Sequence, residues 1–248
     1  MKISIITVTY NNVKTLADTI DSVLQQDYVS LEYIIVDGGS TDGTVELVRD
    51  YGDKISKFVS EPDNGMYDAI NKGIELSSGE YVGLVHSDDF LAYPQCVSDI
   101  VNILKDSQTD SLYADLEYVD AENTEKVVRN WNSGPYSKKR FLWGWMPPHP
   151  TFFIKKDLVK KYGGYRLDFG SAADYEFMLR YLYRFEVSAS YLSKVTMKMR
   201  NGGMSNVSLK NRIKANNSDH RAWMVNNLKP YFFTRYLKPL SKVAQWIG

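Results

Sequence analysis

The residues from Lys2 to Asp27, KISIITVTYNNVKTLADTIDSVLQQD, join a continuously apolar, β-branched run to a stretch with helical spacing. An unbroken apolar run is typical of a strand that is buried on both faces, as in parallel sheets. After Asn12, apolar residues recur at intervals of three and four, which predicts an amphipathic helix that ends near Asp27. A buried strand followed at once by such a helix indicates a βα unit.

The same alternation continues as far as residue 92. It predicts three further strands and two further helices, in LEYIIVDGG (31–39), TVELVRDYG (44–52), ISKFVS (55–60), GMYDAINKGIELSSG (65–79) and YVGLV (81–85). Four strands and three helices within about 90 residues indicate βαβ units and a parallel sheet.

The chain from 93 onward is predicted to mix helices and strands. A helix is expected in CVSDIVNIL (96–104), a strand pair in DSLYADLEYVD (110–120) and KVVRNW (126–131), and a helix with small residues at its start in SAADYEFMLRYLYR (171–184). The segment GWMPPHPTFFIKK (144–156) contains three prolines within four residues, which predicts an ordered loop that enters a strand.

The composition is that of a folded protein with no bias towards nucleic acid. Of the 248 residues, 44% are hydrophobic, and 30 Lys and Arg balance 30 Asp and Glu. The segment 207–248 differs, because eight Lys or Arg face the single acid Asp219, a charge of about +7. A single cysteine, Cys96, cannot form an internal disulfide, and no apolar run approaches the roughly 20 residues of a spanning helix. We therefore expect a cytoplasmic protein.

Polar residues follow all four strands of the first half, in TYNN (9–12), DGGSTDG (37–43), EPDNG (61–65) and HSDD (86–89). Doubly wound sheets bind ligands outside the carboxyl ends of their strands. Adjacent carboxylates such as Asp88 and Asp89 repel each other, and a cation or a donor-rich ligand would compensate them; the alternative is a turn with a helix cap. Because Mg²⁺ prefers one or two carboxylates completed by phosphate oxygens, the pattern points to a nucleotide diphosphate.

Five motifs, in this order and spacing, resemble bacterial glycosyltransferase family 2, including its capsule and lipopolysaccharide transferases: SIITVTYNN, EYIIVDGGSTDGT, EPDNGMYDAINKGI, SSGEYVGLVHSDD and AADYEFMLR. The resemblance runs from about Lys2 to Asn206. It implies an α/β fold of GT-A type, a Rossmann-like mixed sheet, mostly parallel, flanked by helices. Residues 1–206 would form one catalytic domain, with a nucleotide-binding half (1–92) and an acceptor-binding half (93–206), followed by a basic, aromatic helical tail (207–248).

The resemblance also implies roles for residues at the strand ends. Donor-binding residues would be Thr9, Tyr10, Asn11, Asp37, Asp63, Asp68, Lys72 and Asp88. Asp89 would bind Mg²⁺ or Mn²⁺, although Asp88 and Asp89 could exchange roles. Two structural alternatives stay open: Asp37 could cap its own turn, and Asp68 and Lys72, four residues apart, could form an ordinary surface pair.

Asp174 matches the family position at which an aspartate removes the proton of the acceptor hydroxyl, although it could also be a simple acid at a helix N-terminus. Family members often have Glu-Asp here, whereas this chain has Ala-Asp. Candidate acceptor or lid residues are His149, Arg180, Gly202 and Gly203. His149 could instead pack within its loop, Arg180 could pair with Glu176, and the glycines could belong to a plain mobile connection.

The resemblance therefore implies an inverting, metal-dependent glycosyltransferase. Its donor would be a nucleotide sugar, with UDP favoured, and its acceptor a hydroxyl of a glycan or lipid-linked molecule in surface polysaccharide synthesis. The alternative is a catalytically degenerate, sugar- or nucleotide-binding scaffold of the same fold. The aromatic, basic tail suits either an anionic membrane surface or packing against the catalytic domain or a second subunit.

Overall fold

The structure is a computed structural model that describes residues 1–202, 209–234 and 237. For residues 209–216 it describes the backbone only. Gly203 and most of the tail beyond residue 234, for which the sequence made predictions, therefore lie outside the described residues.

The first half contains four parallel strands, confirming the βαβ prediction. The strands are β1 (Ile3–Thr9), β2 (Leu31–Asp37), β3 (Lys57–Ser60) and β4 (Tyr81–Leu84). The helices between them are α1 (Leu16–Leu24), α2 (Thr44–Asp50) and α3 (Met66–Leu76). Strand β1 lies between β2 and β4, and its register with β2 runs from Ile3 opposite Leu31 to Thr9 opposite Asp37. The strand ends that the sequence singled out therefore lie side by side.

The second half adds five strands and five helices among the described residues. The strands are β5 (Asp89–Leu91), β6 (Ser111–Val119), β7 (Val127–Trp131), β8 (Phe153–Lys155) and β9 (Ala189–Arg200). The helices are α4 (Cys96–Ser107), α5 (Lys138–Leu142), α6 (Lys156–Tyr162), α7 (Ala173–Met178) and α8 (Leu209–Val225). Short 3₁₀ segments cover His149–Thr151 and Leu167–Ala172, and a π-helical segment, Leu179–Arg184, continues α7.

All nine strands belong to one mixed sheet, in the order β3-β2-β1-β4-β8-β6-β9-β5 with β7 beside β6. Strand β8 is antiparallel to both β4 and β6 and thereby joins the two halves. The longest pairings, β1 with β2 and β6 with β9, are parallel.

Strand β1 is buried along its whole length because both of its faces are covered. Ile3 and Ile5 pack in the hydrophobic cluster that contains α1 residues, whereas Ile6 and Val8 pack in the cluster that contains α3 residues. Helix α3 approaches closely at Gly73, where an added Cβ would lie 2.4 Å from Cγ2 of Ile6. This two-sided burial holds the carboxyl ends of the strands in place.

Part of the tail packs against the second half of the preceding domain. Ala222 and Trp223 of α8 are buried, and Trp223 Nε1 donates to the hydroxyl of Tyr175 in α7 at 2.9 Å. For this helix, packing is the alternative that the structure shows.

Candidate active site

Asn11 ties the end of β1 to the loop after β2. Its backbone N–H donates to Ser40 Oγ at 2.7 Å, and its side-chain oxygen accepts the backbone N–H of Thr41 at 2.9 Å. Asn11 has a φ of 47°, a left-handed conformation that asparagine tolerates better than most residues. Asn11, a predicted donor-binding residue, therefore helps to fix the shape of the loop after β2.

Asn12 makes the corresponding link to the end of β4. Its backbone N–H donates to Thr44 Oγ1 at 3.0 Å, and its Nδ2 donates to both Oγ and the carbonyl oxygen of Ser87 at 2.9 Å. Ser87 immediately precedes Asp88 and Asp89. The ends of β1, β2 and β4 thus form one hydrogen-bonded unit, although the sequence did not single out Asn12 as a site residue.

Asp37 is completely buried and caps its own turn. Its carboxylate accepts the backbone N–H groups of Gly39 at 3.1 Å and Ser40 at 2.9 Å, and the hydroxyls of Ser40 and of Ser60, the latter at 2.7 Å. This is the structural alternative to a base or ribose contact. Asp37 fixes the shape of the loop after β2 with both of its oxygens.

The ends of the first three strands meet around Gly38. A Cβ at this position would lie 2.6 Å from Asp63 Oδ2 and 3.4 Å from Cδ2 of Tyr10. The ring of Tyr10 is 65% exposed, and the hydroxyl of Thr9 behind it is buried without a hydrogen-bond partner in the described part of the chain. The predicted donor residues Thr9, Tyr10 and Asp63 are therefore close together, next to an accessible aromatic face.

Asp68 and Lys72 form the surface pair that the sequence left open, but weakly. Lys72 Nζ lies 3.9 Å from Asp68 Oδ2 and only 2.9 Å from Oε1 of Glu61, a residue that the sequence did not single out. Asp68 also accepts the backbone N–H of Asn64 at 2.9 Å. These contacts hold the loop between β3 and α3 against the helix.

Asp88 and Asp89 have different environments. The Asp89 side chain is 0% exposed, and neither of its carboxylate oxygens has a hydrogen-bond partner within the described ranges. Burial, and secondarily the charge of Asp88, raises the pKa of Asp89 well above its ordinary value, whereas the nearby Arg200 acts in the opposite direction. Asp88 is only half-buried, so it has the more accessible carboxylate of the two.

The two aspartates fit part of a metal site. Among the described residues, no group of three or more His, Cys, Asp or Glu side chains could hold a metal ion by itself. Mg²⁺ does not need such a cage when substrate phosphates complete its coordination. A buried carboxylate without partners is costly unless a cation compensates it, so Asp89 with Asp88 beside it is chemically suited to that role.

Asp174 lies in the first turn of α7, where its Oδ1 accepts the backbone N–H of Tyr175 at 2.6 Å. It is half-buried, and its negative charge affects the pKa values of aromatic side chains around it, among them Tyr67, His86, His149 and Tyr165. Two of these, His86 and His149, come from the segments that follow β4 and precede β8. Asp174 therefore shares its surroundings with the end of β4.

His149 is buried, and its Nε2 lies 2.7 Å from the hydroxyl of Tyr165. Its ring centroid is 6.0 Å from that of His86. Burial lowers the pKa of His149 to about 4, a shift that the charge of Asp174 opposes and that of His86 reinforces, so the imidazole is neutral at pH 7. The sequence identified His149 but missed Tyr165 and His86, although His86 opens the HSDD motif.

Arg180 pairs with Glu176, as the structural alternative stated. The Nε of Arg180 lies 3.0 Å from Glu176 Oε1, and both side chains are buried. The guanidinium also donates to the carbonyl oxygens of Gly163 at 2.7 Å and Gly164 at 2.6 Å. All its donors are engaged inside the protein, so a contact between Arg180 and the donor diphosphate is not what the structure shows.

Gly202 follows β9 with a φ of 119°.

Within the parts of the chain that the structure describes, no helix combines the length and the apolar character needed to span a bilayer.

Comparison with known proteins identifies the family. The family model described as glycosyl transferase family 2 matches residues 4–163. An uncharacterised glycosyltransferase of Mycobacterium tuberculosis is 37% identical over 180 residues, which are 72% of this chain and 68% of that protein. A PGL/p-HBAD biosynthesis glycosyltransferase of Mycobacterium bovis BCG is 26% identical over 211 residues, covering 82% of this chain and 78% of that protein.

Solved structures confirm the predicted GT-A fold. Residues 1–349 of Staphylococcus aureus TarS, in complex with UDP-GlcNAc, superpose with a TM-score of 0.69 at 20% identity, covering 100% of this chain and 79% of that one. The mannosyltransferase PcManGT of Pyrobaculum calidifontis, in complex with GDP-Man and Mn²⁺, gives a TM-score of 0.67 at 18% identity, covering 98% and 73%. This chain spans 43% of the TarS chain in a further crystal structure, which superposes with a TM-score of 0.70 at 22% identity. The family match extends over more than half of the sequence, and this protein belongs to glycosyl transferase family 2.

Proposed function

We propose that this protein transfers a hexosyl group, with inversion, from a nucleotide sugar to an acceptor hydroxyl, with Asp174 as the base. The observation that carries the proposal is the position of Asp174. It is half-buried beside His86 and His149, and within the described residues it forms no salt bridge that would neutralise it. A positioned carboxylate of this kind can share the proton of a hydroxyl in the transition state.

The reaction follows from this placement. The acceptor oxygen attacks the anomeric carbon, the bond from that carbon to the phosphate oxygen breaks, and its electron pair leaves with the nucleoside diphosphate. The hydroxyl proton passes to the carboxylate of Asp174. His149 is neutral at pH 7 and linked to Tyr165, so we assign it to orienting the acceptor rather than to taking the proton.

We assign the donor to the cleft edge formed by the first three strand ends. The exposed ring of Tyr10 offers a stacking surface for the base, and the carboxylate of Asp63 lies against Gly38 beside it. UDP is the favoured nucleotide because the TarS complex contains UDP-GlcNAc, although PcManGT was solved with GDP-Man. Asp37 contributes through the shape of the loop after β2.

Asp88 and Asp89 would hold Mg²⁺ or Mn²⁺ together with the donor phosphates. When bound, the cation would neutralise the charge that develops on the leaving diphosphate. The support is the unpartnered carboxylate of Asp89 and the Mn²⁺ in the PcManGT complex.

We propose a glycan or lipid-linked acceptor in surface polysaccharide synthesis, and a peripheral position at the cytoplasmic face of the membrane. The relative named for PGL/p-HBAD biosynthesis supports a biosynthetic role for this chain. Its name concerns that protein alone, so the acceptor of this chain has to be found by assay.

The test combines binding and turnover. Calorimetry with a panel of nucleoside diphosphates, with and without Mn²⁺, should show metal-dependent binding that is tightest for UDP. Asp174→Asn should then keep donor binding and lose at least about 10²-fold in kcat, the usual contribution of a positioned base. Full turnover in Asp174→Asn would overturn the assignment of the base. Donor binding without any turnover in the unmodified protein would favour the degenerate scaffold.

A further inference from the structure

Four aromatic rings form a cluster on the surface beside the end of α5. Trp143 follows α5, and Tyr231, Phe232 and Phe233 follow α8. We call these four residues the aromatic patch. The ring centroid of Phe233 lies 5.4 Å from that of Trp143, 5.1 Å from that of Tyr231 and 5.2 Å from that of Phe232. Phe232 is 86% exposed, Trp143 60% and Tyr231 50%, so the patch presents large apolar rings to solvent.

The patch is attached to the body of the protein. Thr234, next to Phe233, is buried, and its hydroxyl donates to the carbonyl oxygen of Leu142 at 2.7 Å. Trp223 shows the contrast within the same tail, because it is buried and hydrogen-bonded to Tyr175. Among the described residues of the tail, the aromatic side chains thus divide into one that packs inward and a group that lies at the surface together with Trp143.

The two segments that supply the patch both lack acidic residues. Residues 126–156 contain seven Lys or Arg, residues 220–248 contain five, and neither stretch contains Asp or Glu. Lys139 and Lys229 are exposed close to the patch in sequence. Lys138 is paired with Glu186, which comes from another segment. The two segments that supply the aromatic patch therefore carry basic residues and no acids of their own.

We propose that the aromatic patch and its flanking lysines bind the surface of an anionic membrane. Trp and Tyr have an apolar body and a polar tip, which suits the depth of lipid headgroups, while lysines are attracted to anionic lipids. A protein interface is the competing occupant, because interface cores are also rich in aromatic residues, and the experiment below distinguishes the two. The membrane binding stands independently of sugar transfer, but its purpose rests on the proposed function.

The location of the patch agrees with such a purpose. His149, beside Asp174, follows Trp143 by six residues along the same loop. One short loop therefore joins the aromatic patch to the residue that we assign to orienting the acceptor.

The experiment is co-sedimentation of the full chain with vesicles of phosphatidylcholine alone or with 30% phosphatidylglycerol added. We expect binding to the anionic vesicles, weak binding to the neutral ones, and loss of binding in high salt. Phe232→Ser and Trp143→Ser should each weaken binding by about tenfold or more, and Lys139→Gln and Lys229→Gln by about fivefold each. Matched controls are Val29→Ser and Lys54→Gln, exposed positions outside both acid-free segments that should change nothing.

Two results would overturn the proposal: equal binding to both kinds of vesicle, or anionic binding that the patch variants leave unchanged. A dimer in solution that Phe232→Ser dissociates would also overturn it, because the patch would then be a protein interface. UDP binding by calorimetry is measured on the same samples. If the protein binds UDP but not vesicles, only the proposal of a membrane-binding surface fails. If it binds vesicles but not UDP, the proposed donor fails and the membrane-binding surface is supported.

Discussion

The side-chain N–H of Asn226, just beyond α8, donates to Oε1 of Glu176 at 3.0 Å, and Glu176 lies two residues after Asp174. Glu176 in turn holds Arg180, whose guanidinium binds the carbonyl oxygens of Gly163 and Gly164. The next residue, Tyr165, carries the hydroxyl that contacts His149. A buried network thus connects the tail to both sides of the candidate acceptor site.

Asn226→Ala should lower both stability and catalysis. Losing a hydrogen bond to a buried carboxylate costs about 1 to 3 kcal/mol in the free energy of unfolding. Because α7 carries Asp174, we also expect a lower kcat with an unchanged Kd for UDP. Urea unfolding, steady-state kinetics and calorimetry measure the three quantities. Met224→Ala, at an exposed position of α8, is the control, and equal effects in both variants would contradict a role for the network.

Gly38→Ala should weaken donor binding by steric conflict. The new Cβ would lie 2.6 Å from Asp63 Oδ2, so the carboxylate must move away from Tyr10. We expect the Kd for UDP to rise by about tenfold or more, since even small losses of fit at a binding site cost a kcal/mol or so. The double variant Gly38→Ala/Asp63→Ala separates the causes. If it binds UDP as well as Asp63→Ala alone, the methyl group acts by displacing Asp63. If it binds UDP more weakly than Asp63→Ala alone, the methyl group blocks the nucleotide directly and the displacement argument fails.

The pattern of the chain predicted which strand ends would meet. Apolar strands that alternate with helices form a parallel sheet, and the carboxyl ends of parallel strands lie at the same edge. The pattern could not predict the difference between Asp88 and Asp89. Asp89 begins β5, which pairs with β9 at Met199, more than a hundred residues later in the chain. Local sequence gives no sign of such a partner, and it is this pairing that places Asp89 inside the protein.

The helix of Asp174 shows the same limit. Spacing along the helix offered Arg180 as the partner of Glu176, and the structure confirms this pair. It could not show that both would be buried, because the covering residue Asn226 belongs to a tail whose position depends on tertiary packing.

Acid should destabilise the protein through His149. Its pKa is lowered from 6.5 to about 4 in the folded state, so the unfolded chain binds the proton more tightly. The stabilising contribution is complete above about pH 6.5 and decreases as the pH falls towards 4, by up to about 3 kcal/mol. His86, whose pKa is also lowered by burial, acts in the same direction. His149→Gln should reduce the difference in unfolding free energy between pH 7 and pH 5, and an unchanged difference would contradict this account.

Glu32 offers a separation of stability from function, because it lies at the opposite end of β2 from Asp37. Its buried carboxylate accepts Ser4 Oγ at 2.6 Å and the backbone N–H of Ser78 at 2.7 Å, and Lys57 lies 3.2 Å away. Burial alone would raise the pKa of Glu32. These hydrogen bonds and the Lys57 ammonium outweigh burial and hold that pKa well below its usual range. Its contribution is therefore present above about pH 4.5 and is lost in acid.

Glu32→Gln should lower the unfolding free energy by about 2 to 3 kcal/mol at pH 7 while leaving the Kd for UDP unchanged. Chemical unfolding and calorimetry on one preparation measure both. Glu46→Gln, an exposed acid on α2, is the control for the loss of one charge. A weaker UDP complex in Glu32→Gln would mean that the two ends of the sheet are coupled.

Asp89→Asn should stabilise the metal-free protein and abolish its response to Mn²⁺. The pKa of Asp89 is raised in the folded state, so the buried group favours folding only at low pH and penalises it as the pH rises through that pKa. Asparagine removes the unpartnered charge, and we expect a gain of at least about 1 kcal/mol at pH 7 that disappears in acid. Mn²⁺ with UDP should raise the melting temperature of the unmodified protein and not that of Asp89→Asn.

Asp88→Asn distinguishes the two residues: because Asp88 is already partly solvated, its loss should weaken UDP binding without the gain in stability. A full Mn²⁺ response in Asp89→Asn would assign the metal to Asp88 and leave the burial of Asp89 as a purely structural cost.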